Sequence, residues 1–350
     1  MRRLLLMHLI LLALPRWALA QASQPQVALP NPLRSLSASA CRPCHEAQFG
    51  EWRGSRHASA ATNDLFRASF RQDPQDWCKQ CHAPLPEQLS ALQGVRDIEP
   101  GRSALVDEGV NCAACHVRDG EILAARPASP AALRAHRLRL DPALSSSVFC
   151  GRCHQASWPL TLKPFRASAL PMQNTLVESQ GVRPVAHRCQ TCHMPKGSHR
   201  FLGGHDVDWL RQTLSAHIWL GAGGVLRVRV RARGIGHKFP TGDPFRRLQA
   251  DVCEDRDCER PVASFSFGSF FRERSGRQVL VRDTALPLPQ GRELESERTI
   301  SHRLPGAHAS LFWRLRYAYA APSTEHALRP DDVAVEIASG TVESTERPIR

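Results

Sequence analysis

Large aromatic side chains are scarce in this chain. Two tyrosines, seven tryptophans and thirteen phenylalanines make up 6% of 350 residues. A segment of fewer than ~200 residues with so few of them builds only a thin core by itself. Long apolar runs are equally scarce. Leu4–Leu14 is too short to span a bilayer, and no later stretch approaches the ~20 residues a membrane-spanning helix needs. Lys and Arg outnumber Asp and Glu by 46 to 33, yet they form no basic run of the kind that grips phosphate. A surplus spread so evenly argues against nucleic acid as a partner.

Cysteine and histidine are the exceptions, with 12 and 16 residues. Ten of the cysteines fall into five copies of Cys-x-x-Cys-His: Cys41-Cys44-His45, Cys78-Cys81-His82, Cys112-Cys115-His116, Cys150-Cys153-His154 and Cys189-Cys192-His193. Chance alone would place about 0.02 copies in a chain of this composition. The motif is the attachment signature of a c-type haem: two thiols add to the vinyl groups, and the adjacent imidazole sits beneath the iron. Five covalent haem c groups are therefore expected, with His45, His82, His116, His154 and His193 as proximal ligands. Structural zinc takes four ligands, commonly two cysteine pairs per ion, which fits an odd number of pairs poorly. Redox dithiols belong in a thioredoxin-like βαβ frame, and no such pattern surrounds these pairs.

The N-terminus carries an export signal over residues 1–20: Arg2 and Arg3, the apolar Leu4–Leu14, and Ala18-Leu19-Ala20 before the expected cut. Position 21 is Gln, so nothing points to a lipoprotein. The mature chain is expected in the periplasm or another exported, oxidising compartment, after Sec-type cleavage near Ala20. Cleavage removes Arg2, Arg3 and Arg16 and lowers the net charge from +13 to +10. Five haems bring about ten propionates, which offset most of that. Their macrocycles also supply the missing apolar surface, so haem loss is expected to unfold the haem-bearing part.

The expected architecture is α plus β in more than one domain. Residues 21–40, rich in Pro, Ser and Ala, read as a flexible leader. Residues 41–218 form a pentahaem segment of short helices (Glu46–Ala61, Pro86–Leu92, Pro130–Leu138) and long loops wrapped around haems. Nothing between the motifs repeats, so a solenoid is not expected. From residue 219 the pattern alternates, clearest where Leu226, Val228 and Val230 interleave with Arg227, Arg229 and Arg231. Similar alternations at Leu248–Val252, Ala263–Phe267, Val279–Val281, Trp313–Tyr319 and Val333–Ile337 predict an antiparallel β-sandwich over 219–350. No His follows Cys258, so Cys253 and Cys258 are expected to form a disulfide in a hairpin rather than hold a sixth haem.

Ten further histidines are available as sixth ligands: His57, His136, His187, His199, His205, His217, His237, His302, His308 and His326. Two imidazoles leave an iron no open position and make an electron carrier, whereas a haem lacking one is a candidate catalytic centre. Met172 and Met194 are read as packing residues, as are Trp52, Trp77 and Trp158.

Cys41-x-x-Cys44-His45 followed by Trp52-x-x-Ser55-x-His57 resembles the opening motif of the multihaem cytochrome c superfamily, which includes hydroxylamine oxidoreductase and the nitrifier tetrahaem cytochrome. Gly109-Val110-Asn111-Cys112, Cys192-His193-Met194-Pro195, His199-Arg200-Phe201 with Gly204-His205, and Gly236-His237-Lys238-Phe239-Pro240-Thr241-Gly242 are also similar to related multihaem proteins. The resemblance covers roughly Cys41 to Phe245. It implies His57, His136, His199, His205 and His237 as distal ligands, with His187 and His217 in reserve, and leaves His302, His308 and His326 on the surface. It also implies two departures. The Cys-x-x-Cys-Lys site of pentahaem nitrite reductase is absent, since Lys79 lies inside a motif. The catalytic tyrosine of hydroxylamine oxidoreductase has no counterpart, since Tyr317 and Tyr319 fall in a predicted strand.

The leading expectation is a periplasmic cytochrome carrying electrons through mostly bis-histidine haems to or from other redox proteins. A membrane-bound quinol-oxidising complex and an outer-membrane complex are among the candidate partners, met through small transient contacts. The alternative is an oxidoreductase acting on a small nitrogen or sulfur compound at a haem with an open distal site. A third reading has the β-sandwich dock the haem unit onto a membrane complex.

Overall fold

The structure is a computed structural model that describes residues 35–162, 165–182, 188–275, 277–306, 308, 310–320 and 325–344. The expected export signal and most of the expected leader lie outside the described residues. The end of that leader is packed rather than flexible. Leu36 and Ala38 are buried, the Ala38 amide donates to Glu108 Oε2 at 2.8 Å, and the Leu36 carbonyl accepts from Asn111 Nδ2 at 2.9 Å.

Up to Thr213 the chain makes short helices. Four motifs end one: Asp76–His82, Cys112–His116, Ser147–His154 and Cys189–His193. One helical turn brings positions i, i+3 and i+4 to the same side, so both thiols and the imidazole face one direction. The first motif closes a turn, with His45 N donating to the Cys41 carbonyl at 3.0 Å, and His45 caps the helix Glu46–Arg53. Two of the other expected helices are shorter than predicted, at Pro86–Ala91 and Pro130–Ala135. Side-chain caps hold several ends: Asn111 accepts from Ala114 N, and Ser146 from Val148 N. Each such cap contributes about 1 kcal/mol.

An antiparallel hairpin of Gln155–Leu162 and Phe165–Asn174 interrupts this segment, where loop was expected. Its sequence hides it: Pro159 and Pro171 argue against strands. The pairing accommodates them through register shifts between Ala156 and Thr161.

From Leu214, ahead of the expected start at 219, two four-stranded sheets face each other. The first contains Leu214–Gly221, Val225–Ala232, Ser296–Arg303 and Glu343–Ser344. The second contains Arg247–Cys253, Ala263–Phe267, Phe312–Ala318 and Ala334–Thr341. Pairing is antiparallel except for Glu343–Ser344, which runs parallel to Leu214–Gly221. Leu226, Val228 and Val230 of the first sheet and Leu248, Phe267 and Leu315 of the second share one core, each at 0% exposure. The interleaved Arg227, Arg229 and Arg231 point the other way, as a period of two requires. Ser269–Arg274 and Arg277–Asp283 form a separate two-stranded ribbon. Cys253 and Cys258 are disulfide-bonded, Cα atoms 5.2 Å apart, in the loop after Arg247–Cys253. Among the described residues no helix is long and apolar enough to cross a membrane.

Candidate haem-ligand centres

Five short helices and turns set five imidazoles, and distant parts of the chain supply the rings that face four of them. His45 stands opposite His136 with ring centroids 6.2 Å apart, His154 opposite His57 at 6.2 Å, His116 opposite His199 at 6.3 Å, and His193 opposite His237 at 6.3 Å. One distance recurs four times between residues with no common sequence spacing. Metal–imidazole bonds of about 2.0 Å, with ~1.1 Å from each nitrogen to its ring centre, separate two trans imidazoles by about 6.2 Å. The residues therefore fit a six-coordinate haem iron at four centres. A tetrahedral ion would need four converging side chains, and among the described residues no three His, Cys, Asp or Glu converge.

Hydrogen bonds aim these rings. Nδ1 of His82 lies 2.7 Å from the Ala60 carbonyl, Nδ1 of His116 2.9 Å from that of Leu123, and Nδ1 of His237 2.7 Å from that of Lys238. His193 Nδ1 contacts the Leu202 carbonyl. A carbonyl only accepts, so each Nδ1 carries the proton and Nε2 keeps its lone pair for a metal. Burial, with neighbouring imidazoles second, holds His57 down to about 3 and His154 to about 4. Burial lowers His237 to about 4 as well, and it lowers His82, His116, His136 and His199. The rings are thus neutral near pH 7, the form that ligates.

The Trp-x-x-Ser-x-His stretch reaches its partner through a close backbone approach. Trp52 is buried and donates from Nε1 to the Val110 carbonyl at 2.9 Å, while Val110 N donates to the His57 carbonyl at 2.9 Å. Gly109, at φ +52°, makes this possible: a Cβ there would stand 2.6 Å from the His57 oxygen. Sequence reasoning passed over the rings that hold the imidazoles. Phe201 meets His57 edge-on at 4.3 Å, Trp209 meets His193 edge-on at 5.4 Å, and Phe66 lies parallel to His82 at 3.8 Å. Phe201 lies in the His199-Arg200-Phe201 stretch, which was the one signal available. His199 is further held by its amide, which donates to Glu51 Oε2 at 2.8 Å.

Thiols of different motifs meet as well. Cys41 lies beside Cys112, Cys81 beside Cys153, and Cys150 beside Cys189, each thiol shifting the ionisation of the other. The motifs are thus neighbours in the order one–three and four–five, with two against four. None of the ten forms a disulfide.

The second motif differs from the rest. Among the described residues no imidazole stands opposite His82, and His187 lies outside them. His205, expected as a distal ligand, is not brought opposite any of the five proximal imidazoles. Its ring stacks on Tyr319 at 4.2 Å, and its Nε2 is 3.4 Å from Arg246 Nη2. Lys79 of the same motif is buried, bound to Asp76 Oδ1 at 2.7 Å and to the Leu92 carbonyl at 2.8 Å, above the Phe70 ring. The remaining histidines lie away from the motifs. His217 pairs with Glu343 on the outer face of the first sheet, His308 with Glu254, and His302 and His326 are exposed. Trp158 packs on Phe271 of the ribbon. Tyr317 lies in Phe312–Ala318, whereas Tyr319 lies just beyond it.

No family model and no curated protein matches the chain. Among solved structures it is similar to a penta-heme cytochrome c552 from Thermochromatium tepidum, with a TM-score of 0.64 and 21% identity, over 88% of this chain and 99% of that one. At that identity the likeness is one of fold.

Proposed function

We propose that this chain is an exported, periplasmic electron-transfer cytochrome with five covalent haem c groups. The single observation that carries this is the set of four imidazole pairs at 6.2–6.3 Å. The likeness to a penta-heme cytochrome supports it. Haem iron held by two imidazoles gains and loses an electron without exchanging a ligand, which suits carriage. The thiols of Cys41 and Cys44, Cys78 and Cys81, Cys112 and Cys115, Cys150 and Cys153, and Cys189 and Cys192 anchor the groups. His45, His82, His116, His154 and His193 ligate from one side, and His136, His57, His199 and His237 from the other. Cys41 lies beside Cys112, Cys81 beside Cys153 and Cys150 beside Cys189, while Cys115 feels Cys153 and acts on Cys150, so the path follows motifs one, three, four and five, with the second joining at the fourth. Other redox proteins are the partners, including a membrane-bound quinol-oxidising or outer-membrane complex.

Mass spectrometry and resting-state electron paramagnetic resonance of the holoprotein test this. The expected result is five haem additions with low-spin signals from at least four. His57→Met is expected to change one haem, the fourth, and leave the others. Fewer than four low-spin haems in the wild type would overturn the reading.

A second reading is favoured by one observation, the unmatched His82. In it, the second haem keeps an open face for a small nitrogen or sulfur compound. One high-spin haem, and a carbon monoxide shift on reduction, are expected. Five low-spin haems that become four in His187→Ala would instead make His187 the missing ligand.

A further inference from the structure

The last residues of the expected leader close over a carboxylate that haem attachment and ligation leave unexplained. Glu108 is 8% exposed and ends the short helix Val106–Glu108, just ahead of the third motif. A carboxylate is rarely buried so deeply unless a cation pairs with it. Here the partners are neutral. Oε2 accepts from the Ala38 amide at 2.8 Å and from Asn111 Nδ2 at 2.7 Å, and Oε1 accepts from the Ser37 hydroxyl. Among the described residues Glu108 belongs to no ion pair. All three hydrogen bonds are received and none is given, which suits the acceptor-only ionised form.

The same side chain is tied to two haem motifs. Ser37 caps the turn Ala38–Ala40, and the Ala38 carbonyl accepts from the Cys41 amide at 3.0 Å, so this side of the carboxylate leads into the first motif. Asn111 leads into the third. Its Oδ1 caps the helix Cys112–His116 by accepting from Ala114 N at 3.2 Å, while its Nδ2 bridges Glu108 and the Leu36 carbonyl. Cys41 and Cys112 lie beside each other at this junction, and the Glu108 charge acts on both thiols. Leu36 and Ala38, both buried, cover the site from the leader side.

We propose that Glu108 is a fixed buried anion that lowers the reduction potentials of the first and third haems together, held in place by residues 36–38 and Asn111. This rests on the electron-carrier reading above. A ferric centre carries one more positive charge than a ferrous one, so a nearby anion favours the oxidised form. The effect is larger where little water screens it. A lower potential at these two centres favours handing an electron on to the fourth. The competing role is purely structural, a clasp that fastens the leader to the helix of the third motif.

Redox titration of the five-haem holoprotein, followed by electron paramagnetic resonance of the low-spin ferric signals, separates the two. His136→Met and His199→Met assign the signals of the first and third haems. In Glu108→Gln, which keeps the shape and removes the charge, both potentials are expected to rise while the other three stay at their wild-type values. Glu108→Asp keeps the charge and is expected to hold both potentials near the wild type, although its shorter reach weakens the clasp. Potentials unmoved in Glu108→Gln, or moved equally in the Gln and Asp variants, would overturn the proposal and leave only the clasp. If the Gln variant fails to retain five haems by mass, Ser39→Lys serves. Ser39 is exposed, with its hydroxyl 2.7 Å from that of Ser37. A cation there is expected to raise the same two potentials, and no rise would overturn the proposal. A wild type in which neither the first nor the third haem is low-spin would instead overturn the electron-carrier reading, and this proposal with it.

Discussion

The two regions of this molecule are held together differently. Before Leu214 the buried apolar residues form three separate groups, none with more than six members: one around Phe70, Leu92 and Ile98, one around Leu36 and Leu85, and one around Trp52. After it, and taking in Leu210 just ahead of it, a single core runs through both sheets to Ile337. A region of that length with small, divided cores leaves its cohesion to something other than side chains, and the placement of five motifs inside it says what. The sandwich needs no such help, because alternation buries one face of every strand.

The largest expected effect breaks this comparison outright. Chain produced without haem attachment is expected to lose the helical signal and to be cut by protease throughout 41–213, while 214–344 keeps its strand signal and resists. Circular dichroism and mapping of protease fragments would show it, and equal loss in both regions would erase the contrast. Next, Phe267→Ala, in the centre of the sandwich core, is expected to cost about 3–5 kcal/mol. Denaturant unfolding would measure that, with haem content unchanged at five groups by mass. Smaller, and confined to the first region, is Gly109→Ala. The left-handed backbone and the His57 carbonyl at 2.6 Å give an expected loss of roughly 1–3 kcal/mol. The potential of one haem, the one that His57 faces, should move with it.

The smallest effect lies at the junction. His205 has a folded value of about 2 against an ordinary 6.5, so the unfolded chain takes up its proton first. Its neutral burial contributes stability above pH 6.5, and that contribution is lost as pH falls from there toward 2. His205→Gln is therefore expected to narrow its stability deficit against the wild type by about 1 kcal/mol between pH 7 and pH 5.5. Parallel urea titrations at the two pH values would check the sign.

Much of the sandwich was readable in advance because period two is a local signal. Leu226–Val230, Leu248–Val252 and Ala263–Phe267 all fall within observed strands. Ser296–Arg303 escaped because its outer positions are polar and its inner ones include Ser296 and Arg298, so no apolar alternation marks it. Leu214–Gly221 escaped because it follows directly on the helix Val207–Thr213. Val333, at the start of a predicted strand, instead ends the short helix Pro330–Val333. The hairpin at 155–174 was hidden by prolines that the bulges absorb.

By itself the sequence determined where five Cys-x-x-Cys-His units lie, because two thiols and an imidazole on one helical turn need only a few consecutive residues. It determined the sandwich strands for the same reason of short range. Which imidazole faces which was decided only by tertiary structure. His57 follows the first motif and faces the fourth, His136 lies between the third and fourth and faces the first, and His237 reaches the fifth from the sandwich side. The unmatched His82 and the meeting of His205 with Arg246 and Tyr319 belong to that second kind. Opposed rings and paired charges are set by the path of the chain through space, and residues a hundred or more positions apart leave no local pattern of their meeting.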